Sequence, residues 1–405
     1  MKLSRRKFLK SGAAGIAMLS LPGVASADAG RIKIGVIDTY SGPATIYTYG
    51  ARDGFKLALS QIGYNVLGKK IEVLYRNSRY RPNIALKMAK ELVLREKVDF
   101  LIGTISSAAA LAVSAYAKSV KIPFFDWIAM SSKISGADGH RYVFQIEVNT
   151  DMSGKAMALA AAKERYKRYY IIGSDYEYGH AIAESFEKNL TSLRKDVEII
   201  GKSWFRVGEP DFGPYINAIL IKKPDAVYAA TGGRDMVPFL KYVNFTGLYK
   251  KTAIFDYTAT DTATTEALGD SMPDGIYGGA PYYFYYPKTN QNRMFVQSYK
   301  EQFKKWPVFT SPNGYITGNL LIKAIKLVGA VDKERIINAI EGMSISSPVG
   351  KVYVRAYDHQ LIAPVYVGRT KKTNKYPFAT AADIVTIPGD ELKIPVSEVK
   401  KERGL

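Results

Sequence analysis

Beyond its first 30 residues the chain alternates short β-branched runs with longer stretches of helical periodicity. IKIGVIDT (Ile32–Thr39) has the composition of a buried strand, and Ser41-Gly42-Pro43 ends it. Tyr49–Ile62 predicts an amphipathic helix, with Phe55, Leu59 and Ile62 on one face. The alternation continues through strands at Lys70–Asn77, Val98–Gly103 and Ile122–Trp127, separated by helices at Pro82–Lys97 and Ser106–Ser119. It restarts with strands at Arg168–Ser174, Asp196–Phe205, Asp225–Thr231 and Thr252–Thr258. Helices at Gly179–Leu193, Phe212–Lys222 and Asp235–Gly247 lie between them. Strand–helix–strand alternation is the pattern of a parallel sheet with right-handed crossovers. Two such units in tandem predict two α/β bodies, each with its own core.

The tail differs. Gln291–Trp306, Tyr315–Val328 and Asp332–Glu341 read as helices, the last with an aspartate cap. Gly350–Val354 and Leu361–Gly368 read as antiparallel strands around Asp358-His359-Gln360. Helices returning after two complete α/β units imply that the chain crosses back to the first.

The N-terminus changes the picture of where the chain works. SRRKFLK (Ser4–Lys10) precedes a weakly apolar run, Gly12–Leu21, and an Ala25-Ser26-Ala27 cleavage signature. This order is that of a twin-arginine export signal covering residues 1–27. The apolar run is too brief to span a bilayer, which takes about 20 residues, and no later segment is long and apolar enough. A periplasmic or extracellular mature chain is expected. About 378 residues follow Ala27, more than one comfortable core. Removing the five positive charges of the signal lowers the net charge from +20 to +15. These charges are spread over many helices and no RNP, zinc-finger or basic-zipper pattern occurs, so a solvated basic surface is expected and no nucleic-acid partner. With no cysteine there is neither disulfide nor thiolate metal site, nor a lipid anchor at the cleavage site. Absent cysteine with abundant lysine and tyrosine fits a chain that folds at high temperature, for which export after folding is sensible.

Enzyme signatures are lacking. The three histidines, His140, His180 and His359, have no HExxH or paired ligand spacing. There is no GxSxG elbow, no GxxxxGK[ST] loop and no GxGxxG after a strand. His359 is expected to pack or bond locally. No cofactor, metal or catalytic residue is predicted.

Seven stretches carry a family resemblance. They are IKIGVIDTYSGPATIYTYGARDGFKLAL, VDFLIGTISSAAALAVSAYAKSVKIPFF, YVFQIEVNTD, SDYEYG, EPDFGPYINAI, PDAVYAAT and GKVYVRAYDHQ. In order and spacing they resemble the leucine/isoleucine/valine-binding type of periplasmic solute receptor, which serves ABC importers. The resemblance covers nearly all of the chain beyond the signal. It implies an α/β fold of two doubly wound parallel-sheet lobes joined by a three-strand hinge, with ligand bound between lobes that close. Lobe 1 is expected at 30–148 plus 282–347, lobe 2 at 149–281 plus 348–390, and a C-terminal extension at 391–405. Partners implied are a small-molecule carboxylate or hydrophobic amino acid and ABC permease subunits, with a monomeric receptor. A ligand-sensing receptor domain on the same fold is the alternative; an exported hydrolase ranks below both.

Ligands of parallel sheets sit beyond the carboxyl ends of the strands, which directs attention to the loops there. By resemblance, Ser107 matches the position that receives a ligand carboxylate, in the loop with Ile105 and Ser106. Tyr49 and Tyr178 match aromatics that pack on the ligand body. Trp127, Ile128 and Thr231 stand in the same class of loop. Two positions depart from the family: Met130 replaces a threonine, and Thr258 a glutamate, that hold a ligand ammonium, with Asp256 near enough to substitute. Arg76 and Asn77 replace the acidic pair usual after the second strand, and Arg79 and Arg81 follow. The departures predict a small carboxylate with an apolar or aromatic body, ahead of the branched-chain amino acids.

Overall fold

The computed structural model describes residues 30–405 except Pro43 and Arg234; the expected export signal lies outside the described residues. The first sheet is built from β1 (Arg31–Asp38), β2 (Asn65–Val66), β3 (Lys69–Asn77), β4 (Phe100–Ile102), β5 (Phe124–Asp126) and β6 (Val143–Gln145), in the order β2-β3-β1-β4-β5-β6. Apart from the β2–β3 hairpin its pairs are parallel. Helices α1 (Thr45–Ser60), α2 (Pro82–Leu94) and α3 (Ser107–Ser119) are its crossovers. After α4 (Thr150–Ala161) the second sheet begins with β7 (Arg168–Ser174), β8 (Glu198–Phe205), β9 (Ala226–Ala230), β10 (Ala253–Asp256) and β11 (Tyr277–Ala280). Helices α5 (Glu177–Leu193), α6 (Gly213–Lys222), α7 (Met236–Thr246) and α8 (Thr262–Leu268) connect them. Both sheets end their parallel strands toward the same space, which the crossover rule makes a shared cleft.

The chain then returns to the first lobe through α9 (Asn290–Phe303), α10 (Thr310–Val328) and α11 (Lys333–Ile340). A small sheet follows, of β12 (Ser344–Ser347), β13 (Gly350–Val354) and β14 (Leu361–Ile362). Two further strands, β15 (Val365–Lys371) and β16 (Thr380–Ile387), add antiparallel to β11 and complete a seven-stranded second sheet. The expected single strand Leu361–Gly368 is thus two strands in two sheets. Pro364 has no N–H to extend the ladder and breaks the run between them. The chain passes between the sheets after Gln145, after Ala280 and between Val354 and Val365. At the first and third passages the segments are cross-braced: Gln145 pairs with Gln360, and Gln360 Nε2 donates to Glu147 O at 2.8 Å. His359 packs here as expected, stacked on Phe144 at 4.2 Å and bonded through Nδ1 to Val143 O. A short helix, α12 (Gly389–Leu392), precedes the last one, α13 (Val396–Glu402). The latter docks through buried Val399, with Arg403 reaching Ser135 O and Gly136 O.

Helices α1 and α10 approach backbone to backbone. A Cβ on Gly54 would stand 1.9 Å from Ser311 O, and one on Gly314 1.8 Å from Ala51 O. In an exposed helix, glycine to alanine stabilises by about 1 kcal/mol. At Gly314 the added methyl meets main chain that cannot yield, so overpacking reverses the sign. Gly314→Ala is expected to destabilise by about 1–3 kcal/mol. A raised melting temperature for this variant would contradict the close packing.

Buried carboxylates hold the strand ends. Asp38 closes β1: Oδ1 accepts Thr39 N and Ile105 N at 2.8 and 2.9 Å, and Oδ2 accepts Trp127 Nε1 at 2.7 Å. Burial pushes its carboxyl up to about 6 despite these donors. Burial also raises Asp261 to about 7 and Glu147 to about 8, and lifts Asp126 and Asp256 well above the usual range. A carboxyl raised in the folded state favours folding where it is protonated and loses that contribution as pH rises through its folded value. For Glu147 and Asp261 that window is reached between pH 6.5 and 8.5. His140 and His359, both lowered by burial, act oppositely, but below about pH 6.5. Thermal unfolding should therefore occur a few degrees higher at pH 6.5 than at pH 8.5, for a gain of about 2 kcal/mol. Glu147→Gln should flatten the difference. Equal or higher stability at pH 8.5 would show these groups to be ionised in the fold.

Candidate functional site

The strand ends frame a narrow cavity between the lobes. From the first lobe come Tyr47 on α1, Tyr80 after β3, Ile105 and Ser107 after β4, Ile128 and Met130 after β5, and Phe309 before α10. From the second come Tyr176 and Tyr178 after β7, Gly232 and Gly233 after β9, and Thr258 after β10. All but Phe309 follow the carboxyl end of a parallel strand, as the topology requires.

One end of the cavity is built to accept negative charge. Ser106 caps α3: its Oγ accepts Ala109 N and its carbonyl accepts Ala110 N. The amides of Ser107 and Ala108 lie in the first turn, where a helix offers them no acceptor. Ser107 Oγ accepts Ser131 N at 3.3 Å, so its own hydrogen is left to donate. Hydroxyl, two amides and the positive end of a 13-residue helix converge there. Gly103 makes the approach possible. With φ +139° it lies so close to β1 that a Cβ would meet Ile37 O at 1.9 Å, and this brings Ile105 N onto Asp38.

The rest of the wall is aromatic. Tyr47 packs against Phe309 with centroids 5.4 Å apart, and Tyr176 against Tyr178 at 6.0 Å. Gly232 lies against the Tyr178 ring, where a Cβ would come within 2.6 Å of Cε1. Pairs of hydroxyls join the lobes on this wall: Tyr80 OH to Tyr176 OH at 3.4 Å and Tyr47 OH to Thr264 Oγ1 at 3.1 Å. No charged side chain lines the cavity among the described residues.

Of the residues picked from sequence, Ile105, Ser107, Ile128, Met130, Tyr178 and Thr258 come together on this wall. Five do not. Tyr49 is displaced because α1 begins at Thr45, a turn earlier than its pattern indicates. Two positions along a helix rotate a side chain by about 200°, so Tyr47 faces the cavity. Tyr49 stacks on Tyr40 at 5.7 Å under the Arg52 guanidinium. Ser106 is committed to its cap. Trp127 is fully buried, edge-on to Phe55, and holds Asp38 from behind the wall. Thr231 donates to Asp256 Oδ2, and both are buried. Burial lifts the Asp256 carboxyl well above the usual carboxylate range, and it does not line the cavity. Among the basic residues expected at the mouth, Arg76 is paired with Glu91 and Glu96 at 2.9 Å each.

Sequence reading missed Tyr47, Tyr80, Tyr176, Gly232, Gly233 and Phe309. Tyr176 stands two residues before Tyr178 in the same quoted stretch, but as an extended residue before α5 it needs no helical phase to face the cleft. Phe309 was hidden by a late start for α10, although Pro312 in the first turn marks the true one.

The comparisons with known proteins agree with this architecture. A family model described as periplasmic binding protein matches residues 31–375. A Leu/Ile/Val-binding protein homolog of Brucella abortus is 24% identical, covering 98% of both chains. A solute binding protein of an ABC transporter from Rhodopseudomonas palustris BisB5, solved with 3,4-dihydroxybenzoic acid, superposes with a TM-score of 0.81 at 24% identity. It covers 89% of this chain and 98% of that one. Another from R. palustris HaA2, solved with p-hydroxybenzoic acid, gives 0.82 at 22% identity over 88% and 98%. With the family model spanning most of its length, two doubly wound lobes and a cleft lined by strand-end loops, the chain belongs to the periplasmic binding protein family.

Proposed function

We propose that this chain is the extracytoplasmic solute-binding receptor of an ABC importer and that it captures a small aromatic carboxylate by closure of its two lobes. The moving bodies are 30–148 with 282–347 and 149–281 with 348–390, the β12–β13 hairpin lying at their boundary. The role is binding and delivery to permease subunits, without catalysis, by a monomer exported through the twin-arginine route.

The observation that carries the ligand class is the polarity of the wall. One end presents Ser107 Oγ and the first amides of α3, and the remainder is tyrosine, phenylalanine, methionine and isoleucine. Aromatic faces give a planar body large contact area. An ammonium group in this cavity would lack an ionised partner among the described residues, at a cost of several kcal/mol. Solved relatives that hold hydroxybenzoates support the same class. The Leu/Ile/Val-binding name of the Brucella relative favours hydrophobic amino acids as the second reading, with Asp256 a buried acid near Tyr178.

Calorimetry separates the two. 4-Hydroxybenzoate, benzoate and 3,4-dihydroxybenzoate should bind at micromolar concentration or tighter, with leucine and valine at least about tenfold weaker, equivalent to about 1.4 kcal/mol. The ligand should be recovered unchanged. Ser107→Ala should weaken carboxylates about tenfold or more, as loss of a hydrogen bond to a charged group does. Micromolar leucine binding abolished by Asp256→Asn, with no benzoate binding, would replace the first reading by the second.

A further inference from the structure

We propose that Glu177 is a positioning residue that couples lobe closure to the orientation of the Ser107 hydroxyl. The inference rests on the carboxylate-receptor reading and extends it to how closure and recognition are linked.

Glu177 stands in the first turn of α5 in the second lobe, between the cavity residues Tyr176 and Tyr178. Its partners belong to the first lobe, in the segment after β5. Ser131 Oγ donates to Glu177 Oε1 at 2.7 Å, and Lys133 Nζ pairs with Oε2 at 2.9 Å. Ser131 is fully buried and carries a second bond: its backbone N–H donates to Ser107 Oγ. One residue therefore touches both the opposite lobe and the group that faces the ligand. Because Ser107 Oγ receives that N–H, its own hydrogen is turned away from Ser131 and toward the cavity. If the lobes part, Ser131 loses its carboxylate partner, and the first-lobe segment whose N–H is bonded to Ser107 Oγ loses this tie to the second lobe.

The Ser131 bond is the effective half of the contact. Lys133 is about half exposed, and pairs of that kind contribute little in water. The hydroxyl–carboxylate bond is short, charge-assisted and shielded. Elsewhere across the cleft, Tyr80 to Tyr176 and Tyr47 to Thr264 join neutral hydroxyls at 3.4 and 3.1 Å, and the Phe309 N–H donates to the buried Asp261 Oδ1 at 3.0 Å. A purely local role for Glu177 would be stabilisation of α5 by an acid in its first turn, through the helix dipole. Such a role would be indifferent to Ser131 and Ser107.

The test uses the full mature chain. Glu177→Gln and Ser131→Ala should each weaken 4-hydroxybenzoate about tenfold, mainly through faster dissociation, with Lys133→Ala much milder. In a Ser107→Ala background, Glu177→Gln should have little further effect. Small-angle scattering of the ligand-free proteins should give a larger radius of gyration for Glu177→Gln and Ser131→Ala than for the parent. Losses that add fully to that of Ser107→Ala, unchanged affinity, or a Ser131→Ala variant that behaves like the parent would overturn the coupling. If the parent does not bind 4-hydroxybenzoate, the receptor's ligand class is wrong. The scattering comparison then still decides the latch, and equal radii overturn it.

Discussion

The cleft depends on one buried carboxylate. Asp38 ends the central β1 and accepts three N–H groups, from its own loop, from the loop after β4 and from the indole after β5. Those three loops lead to Tyr47, to Ile105 and Ser107, and to Ile128 and Met130, which together make the first lobe's side of the cavity. A carboxylate is suited to this because it takes several donors at once and has no hydrogen-bonding need beyond them. Its burial raises its proton affinity, and the donors pull the other way. Removing it would leave three loop donors without an acceptor inside the protein, a heavier loss than any single contact on the cavity wall.

Around that frame, the site separates support from contact. Trp127, Thr231 and Asp256 sit behind the wall, and Ser106 caps the helix. Side chains with a free face or a free donor are left in front: Ser107, the tyrosines, Met130 and Ile128. The second lobe repeats the scheme with fewer polar groups. Gly232 after β9 lets the main chain lie close against the Tyr178 ring. An apolar, aromatic face thus lies opposite a helix start that offers hydrogen-bond donors.

Much of the architecture was legible because its signal is periodic. Strand β7 was read with its observed ends, and α6, α7 and α11 to within a residue or so at each end. Elements with weak contrast were missed. β6 has only three residues. α4 is buried on most sides and has no polar stripe to reveal a helical period. β16 lies at a sheet edge with a mixed burial pattern and a left-handed Asp383. At the site, loops that follow strands were identifiable, and Ser107 and Tyr178 came from them. What sequence alone did not give was phase. A helix start misjudged by one turn exchanged Tyr47 for Tyr49. Residues one position from the wall, such as Trp127 and Ser106, read the same as those on it. The distinction lies in which way a short loop turns, and Gly103 and Asp38, far apart in sequence, decide that together.

The most direct measurement is a crystal structure of the mature chain with 4-hydroxybenzoate. The carboxylate should lie within about 3 Å of Ser107 Oγ and of the Ser107 or Ala108 amide. The ring should be enclosed by Tyr47 and Tyr178, with Asp38 still joining its three loops. A carboxylate bound at the opposite end of the cavity, or a ligand outside the cleft, would contradict the account.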